Sequence, residues 1–264
     1  MKTLIFTDLD GTFLNHKDYS FDDSKEALLK ISKEKIPLIF TTSKTKVEVE
    51  LLQKKVGINE PFIIENGAAI FIPKKYQGLD FSFLKEFDAY YVLQLGLSYK
   101  NILDFYNKYK KEFGMFGFSD MTLPELVKYT GLSIDDAKLS KQRDFTEPFL
   151  LKDDSSLKQL QTLAHKYNIK ITKGGRFYHL IGVSQDKGEA VKKTKMIFKK
   201  VFNKRINSIA LGDGENDITM LENVNTAIII KNYEDEYLDC NIKNIQKSTY
   251  QGSKGWNEMV LKNV

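Results

Sequence analysis

Asp8 and Asp10 stand in the run Lys2-Thr3-Leu4-Ile5-Phe6-Thr7-Asp8-Leu9-Asp10-Gly11-Thr12. An apolar stretch ending in two carboxylates one residue apart, followed at once by Gly-Thr, reads as a strand that stops at an exposed turn. Open α/β sheets place their chemistry at that end of their strands. Side chains alternate across a strand, but a turn breaks the alternation, so both carboxylates can face one crevice. One is then suited to act as a nucleophile and the other as an acid and base. Three further places fit the same crevice. Thr42 ends the next apolar stretch and offers a neutral donor for a phosphoryl oxygen. Lys187, in Asp186-Lys187-Gly188, puts an ammonium just before a helix, where it would neutralise a transferring phosphoryl group. Asp213 and Asp217, in Gly212-Asp213-Gly214-Glu215-Asn216-Asp217, form an acidic, glycine-rich turn that lets carboxylates gather around a hard cation such as Mg²⁺. Taken singly, each has a plain alternative: a solvated turn, a capping threonine, a surface lysine, a helix cap. Their combination, in this order and on strand ends, is what is specific.

The elements that must position these residues alternate. After the first strand, residues 21–33 carry apolar side chains at helical spacing (Ala27, Leu28, Ile31) behind Asp22, Asp23 and Ser24. Residues 36–42 read as a second strand, 44–56 as a helix stopped by Gly57, and 61–72 as two short strands around an Asn-Gly turn. Such alternation implies βαβ units and a parallel sheet. From about Gln77 to Gln185 the texture becomes more aromatic, with a helix over 99–113 and strand-like pieces at 149–152 and 177–183. Alternation resumes with a helix over 188–202, a strand over 206–211, the acidic turn, a helix to about Glu222 and a strand over 226–230. The fold expected is α/β: a Rossmann-like parallel-sheet core, residues 1–78 and 187–264, carrying an inserted α+β cap domain, residues 79–186. Hinges between them are expected near Pro73–Gly78 and Val183–Asp186.

The 264 residues and the 42% hydrophobic share suit one large or two moderate globular units. No apolar run approaches the roughly 18 residues of a membrane span, and Asp8 interrupts the N-terminus before a secretory apolar region could form. A cytoplasmic protein is therefore expected. Cys240 is the sole cysteine, so an internal disulfide and a cysteine-built metal site are both excluded. The formal charge of +5 is spread along the chain, which reads as a lysine-coated surface rather than a nucleic-acid or membrane site. Against that lysine background the only arginines are Arg143, Arg176 and Arg205. Arginine is notable where planar, bidentate anion recognition is needed.

Asp8-Leu9-Asp10-Gly11-Thr12, Thr42, Lys187 and the Gly212–Asp217 turn resemble the four motifs of the haloacid dehalogenase superfamily of phosphohydrolases. The resemblance spans the whole core. It implies that Asp8 attacks phosphorus to form an aspartyl-phosphate, while Asp10 protonates the leaving oxygen and then activates water. It also implies Mg²⁺ held by the Asp8 carboxylate, the Asp10 backbone carbonyl and Asp213, with Asp217 in support. The insertion resembles the larger α/β cap of this superfamily. More narrowly, residues 42–45, 61–67, 142–149, 174–182 and 255–258 are similar to the mannosyl-3-phosphoglycerate phosphatase family. Ser253 stands where that family tends to have proline, and residues 80–119 match nothing recognisable.

The narrower resemblance implies a small phosphorylated sugar-glycerate as substrate. Ser43 and Asn66 fall within its matching stretches, and Lys44 would face the glycerate. Arg143 and Arg176 would grip the carboxylate, or else form internal ion pairs. His179 and Glu147 would bond sugar hydroxyls, although a structural histidine is the alternative for His179. Trp256 is expected to pack. A broader sugar-phosphate phosphatase, including one for the glucosyl analogue, and a phosphomutase remain alternatives.

Overall fold

A computed structural model describes residues 1–174 and 176–264, so Gly175, within one of the matching stretches, lies outside the described residues. In chain order the elements are β1 (Lys2–Thr7), α1 (Lys25–Glu34), β2 (Leu38–Thr41), α2 (Lys46–Val56), β3 (Phe62–Ile64), β4 (Ala69–Pro73), β5 (Lys85–Phe87) and β6 (Tyr90–Gln94). There follow α3 (Tyr99–Phe113), β7 (Met115–Gly117), α4 (Leu123–Thr130), α5 (Ile134–Ser140), β8 (Glu147–Leu151), α6 (Leu157–His165), β9 (Ile169–Gly174) and β10 (Phe177–Gly182). The chain closes with α7 (Lys187–Phe202), β11 (Ile206–Gly212), α8 (Ile218–Glu222), β12 (Thr226–Lys231), β13 (Gln246–Gln251) and α9 (Gly252–Asn263).

The larger sheet runs β13-β12-β11-β1-β2-β3-β4-β6-β5. From β13 to β3 the pairs are parallel, and beyond β3 they are antiparallel. Strand β1 lies in its interior, between β11 and β2, and is apolar on both faces, as a strand covered by helices on both sides must be. Leu4 and Phe6 pack with Val191 and Phe198 of α7. Ile5 points the other way, into a core with Ala27 and Ile31 of α1 and Trp256, Met259 and Val260 of α9. Trp256 is fully buried, meets Phe13 edge-on at 5.1 Å and donates its indole N–H to Thr7 Oγ1 at 3.0 Å. It packs, as its sequence context suggests.

The smaller sheet, β7-β8-β10-β9, is antiparallel throughout. Helices α3 and α6 cover one face: Ile102, Phe105 and Tyr106 join Leu160 and Ala164 over Phe149, Tyr178 and Leu180. Alternation along β10 turns His179 to the opposite face, toward the larger sheet.

Strands β5 and β6, within the segment expected to begin the cap, are hydrogen-bonded into the larger sheet through β4. Tyr90 and Val92 pack on one of its faces, Tyr91 and Leu93 on the other. The chain therefore leaves the larger sheet after Gln94 rather than after Gly78 and returns through residues 183–186, just before α7. The expected first hinge, Pro73–Gly78, lies inside the core unit, between β4 and β5.

Candidate active site

The carboxyl ends of β1, β2 and β11 converge. Asp8 follows β1 directly, held by its N–H to Leu211 O at 2.9 Å. Gly11 then takes φ +80°, where a Cβ would lie 2.4 Å from Asp213 Oδ2. Only glycine suits that backbone and that proximity. Thr12 donates its hydroxyl to Asp213 Oδ1 at 2.6 Å, so the turn after β1 fixes the carboxylate that follows β11. Asp217 Oδ2 accepts the N–H groups of Asp213 and Gly214, both at 3.1 Å, which shapes the acidic turn from within. Lys187, the first residue of α7, bridges Asp8 Oδ1 and Asp217 Oδ1 at 2.7 Å each.

Asp8, Asp213 and Asp217 each offer an oxygen, and these oxygens all lie within 4.8 Å of one another. Their electrostatics follow. Burial first, then Asp217, pushes Asp8 up to about 7 against the pull of Lys187. Burial, Asp8 and Asp217 push Asp213 well above the usual carboxylate range. Burial disfavours the charge on Lys187, but the two carboxylates override it and hold the ammonium protonated. Carboxylates forced together at this cost suit a small divalent cation with hard oxygen ligands, so the donor set fits Mg²⁺. The Asp10 carboxylate stands outside that group and faces Lys44 Nζ at 3.0 Å.

Above this cluster lies a chamber of about 270 Å³ lined by Asp8, Asp10, Ser43, Asn66, Asp213 and Asn216 of the core and by Thr172, Gly174 and His179 of the smaller unit. His16 and Tyr233, stacked with ring centres 4.1 Å apart, line it too. A second chamber of about 210 Å³ shares Asp10, Ser43, Gly174 and His179 with the first and is lined further by Lys44, Phe118, Arg143 and Arg176. Together they form one crevice between the two sheets, acidic at the core end and cationic at the other.

The expected site residues divide. Asp8, Asp10, Ser43, Lys44, Asn66, Arg143, Arg176, His179 and Asp213 line the crevice. Lys187 and Asp217 lie buried beneath its floor. Thr42 is also buried, and its hydroxyl accepts the Lys44 N–H at 3.2 Å. Arg143 donates through Nε to Ser140 O at 3.1 Å and through Nη1 to Ser43 O and Thr146 Oγ1 at 3.2 and 3.0 Å. Arg176 is exposed and donates to Tyr129 O at 3.1 Å. Burial, helped by the Arg143 charge, pulls His179 down to about 3, so its ring is neutral, and its Nδ1 has no hydrogen-bond partner among the described residues.

Glu147 departs from expectation. It is wholly buried, accepts from Tyr99 OH at 2.6 Å and from the Ser119 N–H and hydroxyl at 2.8 and 2.6 Å, and lines neither chamber. Its carboxylate is consumed inside the smaller unit. Sequence reasoning passed over His16, Tyr233, Tyr19 and Thr172, which reach the crevice from loops and an edge strand with no motif around them. Thr12 and Asn216 lay within quoted motifs and could have been found from their side-chain chemistry.

Sheet order defines an α/β protein carrying a second, four-stranded unit, with an acid-lysine cluster at the carboxyl ends of the larger sheet's strands. The chain belongs to the family of haloacid dehalogenase-like hydrolases, whose description matches residues 5–252. It is 50% identical to the glucosyl-3-phosphoglycerate/mannosyl-3-phosphoglycerate phosphatase of Persephonella marina, across 97% of this chain and 95% of that one. A phosphatase of the same description from Methanococcoides burtonii is 37% identical, across 99% and 97%. Among solved structures, Thermoplasma acidophilum 0175 superposes with a TM-score of 0.71 at 18% identity, covering 99% of this chain and 98% of that one, a likeness of fold. None of the described helices is long and apolar enough to cross a membrane.

Proposed function

We propose that this protein is a Mg²⁺-dependent phosphatase that hydrolyses mannosyl-3-phosphoglycerate to mannosylglycerate and phosphate. The observation that carries the reading is the crevice itself. Asp8, braced by Lys187, lies at its acidic end, and Lys44, Arg143 and Arg176 line the other end, where their charges suit a carboxylate. The relatives at 50% and 37% identity, named as phosphatases of such sugar phosphoglycerates, support it over nearly the whole chain.

The Asp8 carboxylate attacks phosphorus as the bond to the glycerate oxygen breaks, giving an aspartyl-phosphate and the sugar glycerate. Asp10 gives its proton to that departing oxygen. It then takes a proton from the water that attacks phosphorus, so that phosphate leaves and the Asp8 carboxylate is restored. A positioned acid and base of this kind is worth about 10²- to 10⁴-fold. Lys187 holds Asp8 in place and offsets part of the charge brought by the phosphate. Mg²⁺, held by Asp8, Asp213 and Asp217 with the Asp10 carbonyl, would supply the remaining charge neutralisation. The four-stranded unit serves as the cap that chooses substrate. There Arg143 and Arg176 meet the glycerate carboxylate, and the unpaired Nδ1 of neutral His179 meets a sugar hydroxyl. Ser43 and Asn66 line the phosphoryl end, and Thr42 behind them supports the Lys44 backbone.

Because both relatives are named for the glucosyl compound as well, turnover of glucosyl-3-phosphoglycerate is the second reading. Phosphate release is measured with Mg²⁺ and with EDTA from the mannosyl and glucosyl compounds, 3-phosphoglycerate and mannose 6-phosphate. Mg²⁺-dependent preference for the mannosyl compound is expected. Equal turnover of simple sugar phosphates would remove the cap assignment, and absence of released phosphate would remove the hydrolase reading.

A further inference from the structure

Glu65 is a fully buried carboxylate with no part in the chemistry above. It lies in the β3–β4 turn of the core, at φ +47°, followed by Asn66 at +59° and Gly67 at +89°. Three successive left-handed residues, two of them not glycine, are costly and persist only where surrounding contacts over-determine them. Those contacts come from the loop before β8 and from both chain crossings between the two units. Glu65 Oε1 accepts the Asp144 N–H at 2.9 Å, and Oε2 accepts the Phe145 N–H at 3.3 Å and the Thr146 hydroxyl at 2.6 Å. The Arg143 guanidinium lies 3.7 Å from Oε2. One core side chain thus holds the whole loop before β8, the loop that carries Arg143.

The same turn holds both chain crossings. Ala68 O accepts the N–H groups of Leu95 and Gly96 at 2.8 Å, and Glu65 O accepts Gln185 Nε2 at 2.6 Å. Gln185 Oε1 in turn accepts the Gly182 N–H at 3.1 Å. On its other side the turn meets the catalytic residues. The Glu65 N–H donates to Lys44 O and the Asn66 N–H to Thr42 O, at 3.0 and 2.9 Å, while a Cβ on Gly67 would lie 2.1 Å from Asp186 O and 2.9 Å from Lys187 N. Burial pushes the Glu65 carboxyl up, and Arg143 with the hydrogen bonds from Thr146 and the Asp144 N–H works against that. A buried carboxylate with this many donors is costly to break on one side, and its geometry is therefore stiff.

We propose that Glu65 is a positioning residue, fixing the Arg143–Thr146 loop of the cap against the catalytic turn so that a substrate gripped by the cap is in register with Asp8. It touches no substrate. Its effect falls on substrates long enough to span both chambers, and the inference rests on the phosphatase reading above.

The test compares the full-length protein with Glu65→Ala and Thr146→Val, the latter removing one donor at nearly constant volume. The kcat/KM for mannosyl-3-phosphoglycerate is divided by that for p-nitrophenyl phosphate, which reaches only the acidic chamber. In Glu65→Ala this ratio falls by about 10- to 100-fold, the scale of a small misplacement of a bound substrate, and in Thr146→Val it falls less. A purely structural role would lower both activities together and leave the ratio unchanged, which would overturn the inference. Amide hydrogen exchange at Asp144 and Phe145 is the second readout. Protection there drops at least about tenfold in Glu65→Ala while β1 and β11 stay protected, and unchanged protection at those amides would overturn the inference whatever the substrate. A wild-type protein with no preference for the mannosyl compound would instead count against the function, and the exchange result would still decide the role of Glu65 in holding the loop.

Discussion

Asp8 lines the crevice floor with one oxygen on Lys187 and with Asp213 and Asp217 close by, so its removal can be tested without changing shape. Asp8→Asn keeps the volume and most of the hydrogen bonding but cannot attack phosphorus, so turnover is abolished while the circular dichroism spectrum and Tm stay near wild type. Near-native activity in that variant would remove the aspartyl-phosphate route. Arg176 stands at the opposite end, exposed and tied only to Tyr129 O among the described residues. Arg176→Lys keeps the charge and loses the planar fork, so KM for a carboxylate-bearing substrate rises by roughly tenfold while KM for p-nitrophenyl phosphate barely moves. Equal effects on both would speak against a carboxylate clamp. Asp8, Asp10, Lys187, Asp213 and Asp217 were legible in the chain because strand ends and glycine turns mark them locally. The consumption of Glu147 by Tyr99 and Ser119 was not, because its partners lie 48 and 28 residues away.

At the scale of elements, the turn after β1 and the turn after β11 form one unit, since Gly11 leaves room for Asp213 and Thr12 binds it. Gly11→Ala places a methyl 2.4 Å from an Asp213 oxygen on a left-handed backbone. The strain costs about 1–3 kcal/mol, and the displaced carboxylate weakens Mg²⁺ binding by roughly tenfold or more. Urea unfolding and calorimetric Mg²⁺ titration measure the two separately. Unchanged Mg²⁺ affinity would mean that Asp213 is not a ligand. Helix α3 has the bounds its sequence spacing predicts, and the structure shows why: Ser98 caps it and Gly114 ends it. By contrast, β5 and β6 were read with the cap, since the aromatic run Tyr90-Tyr91-Val92 does not reveal which of two sheets it will extend.

For the molecule as a whole, buried His179 and half-buried Glu60 give stability opposite pH dependences. His179, held down to about 3, stays neutral when folded, so the unfolded chain binds more protons below its ordinary value near 6.5. Its contribution is complete above that value and is lost as pH falls toward 3, up to roughly 5 kcal/mol. Glu60, at the far end of the sheet beside Tyr76, is pushed up to about 7 by burial, so the folded state keeps a proton that the unfolded chain gives up. That contribution is present below its ordinary value of 4.5 and is lost as pH rises toward 7, at most about 3 kcal/mol. Relative to wild type, Glu60→Gln therefore gains stability between pH 4.5 and 7, and His179→Gln gains it between pH 6.5 and 3. Urea unfolding across that range reads both, and parallel pH profiles for the three proteins would contradict the assignments. Mg²⁺ at about a hundred times its Kd adds roughly 2.7 kcal/mol to stability if it binds only the folded state. A Tm indifferent to Mg²⁺ would argue against a metal centre at the three carboxylates.

Local information in the chain determined the candidate reacting groups and the alternating core, because a carboxylate pair after an apolar run, a lysine opening a helix and a glycine-rich acidic turn are each written within a few residues. What the tertiary structure alone decided was which carboxylates are free and which are spent. Lys44 turns to Asp10, Glu147 is consumed within the cap, and Glu65 gathers a loop some 80 residues distant. These pairings depend on which buried donors the fold brings within hydrogen-bond reach. The energy of a buried carboxylate is fixed by that neighbourhood rather than by its position in the sequence.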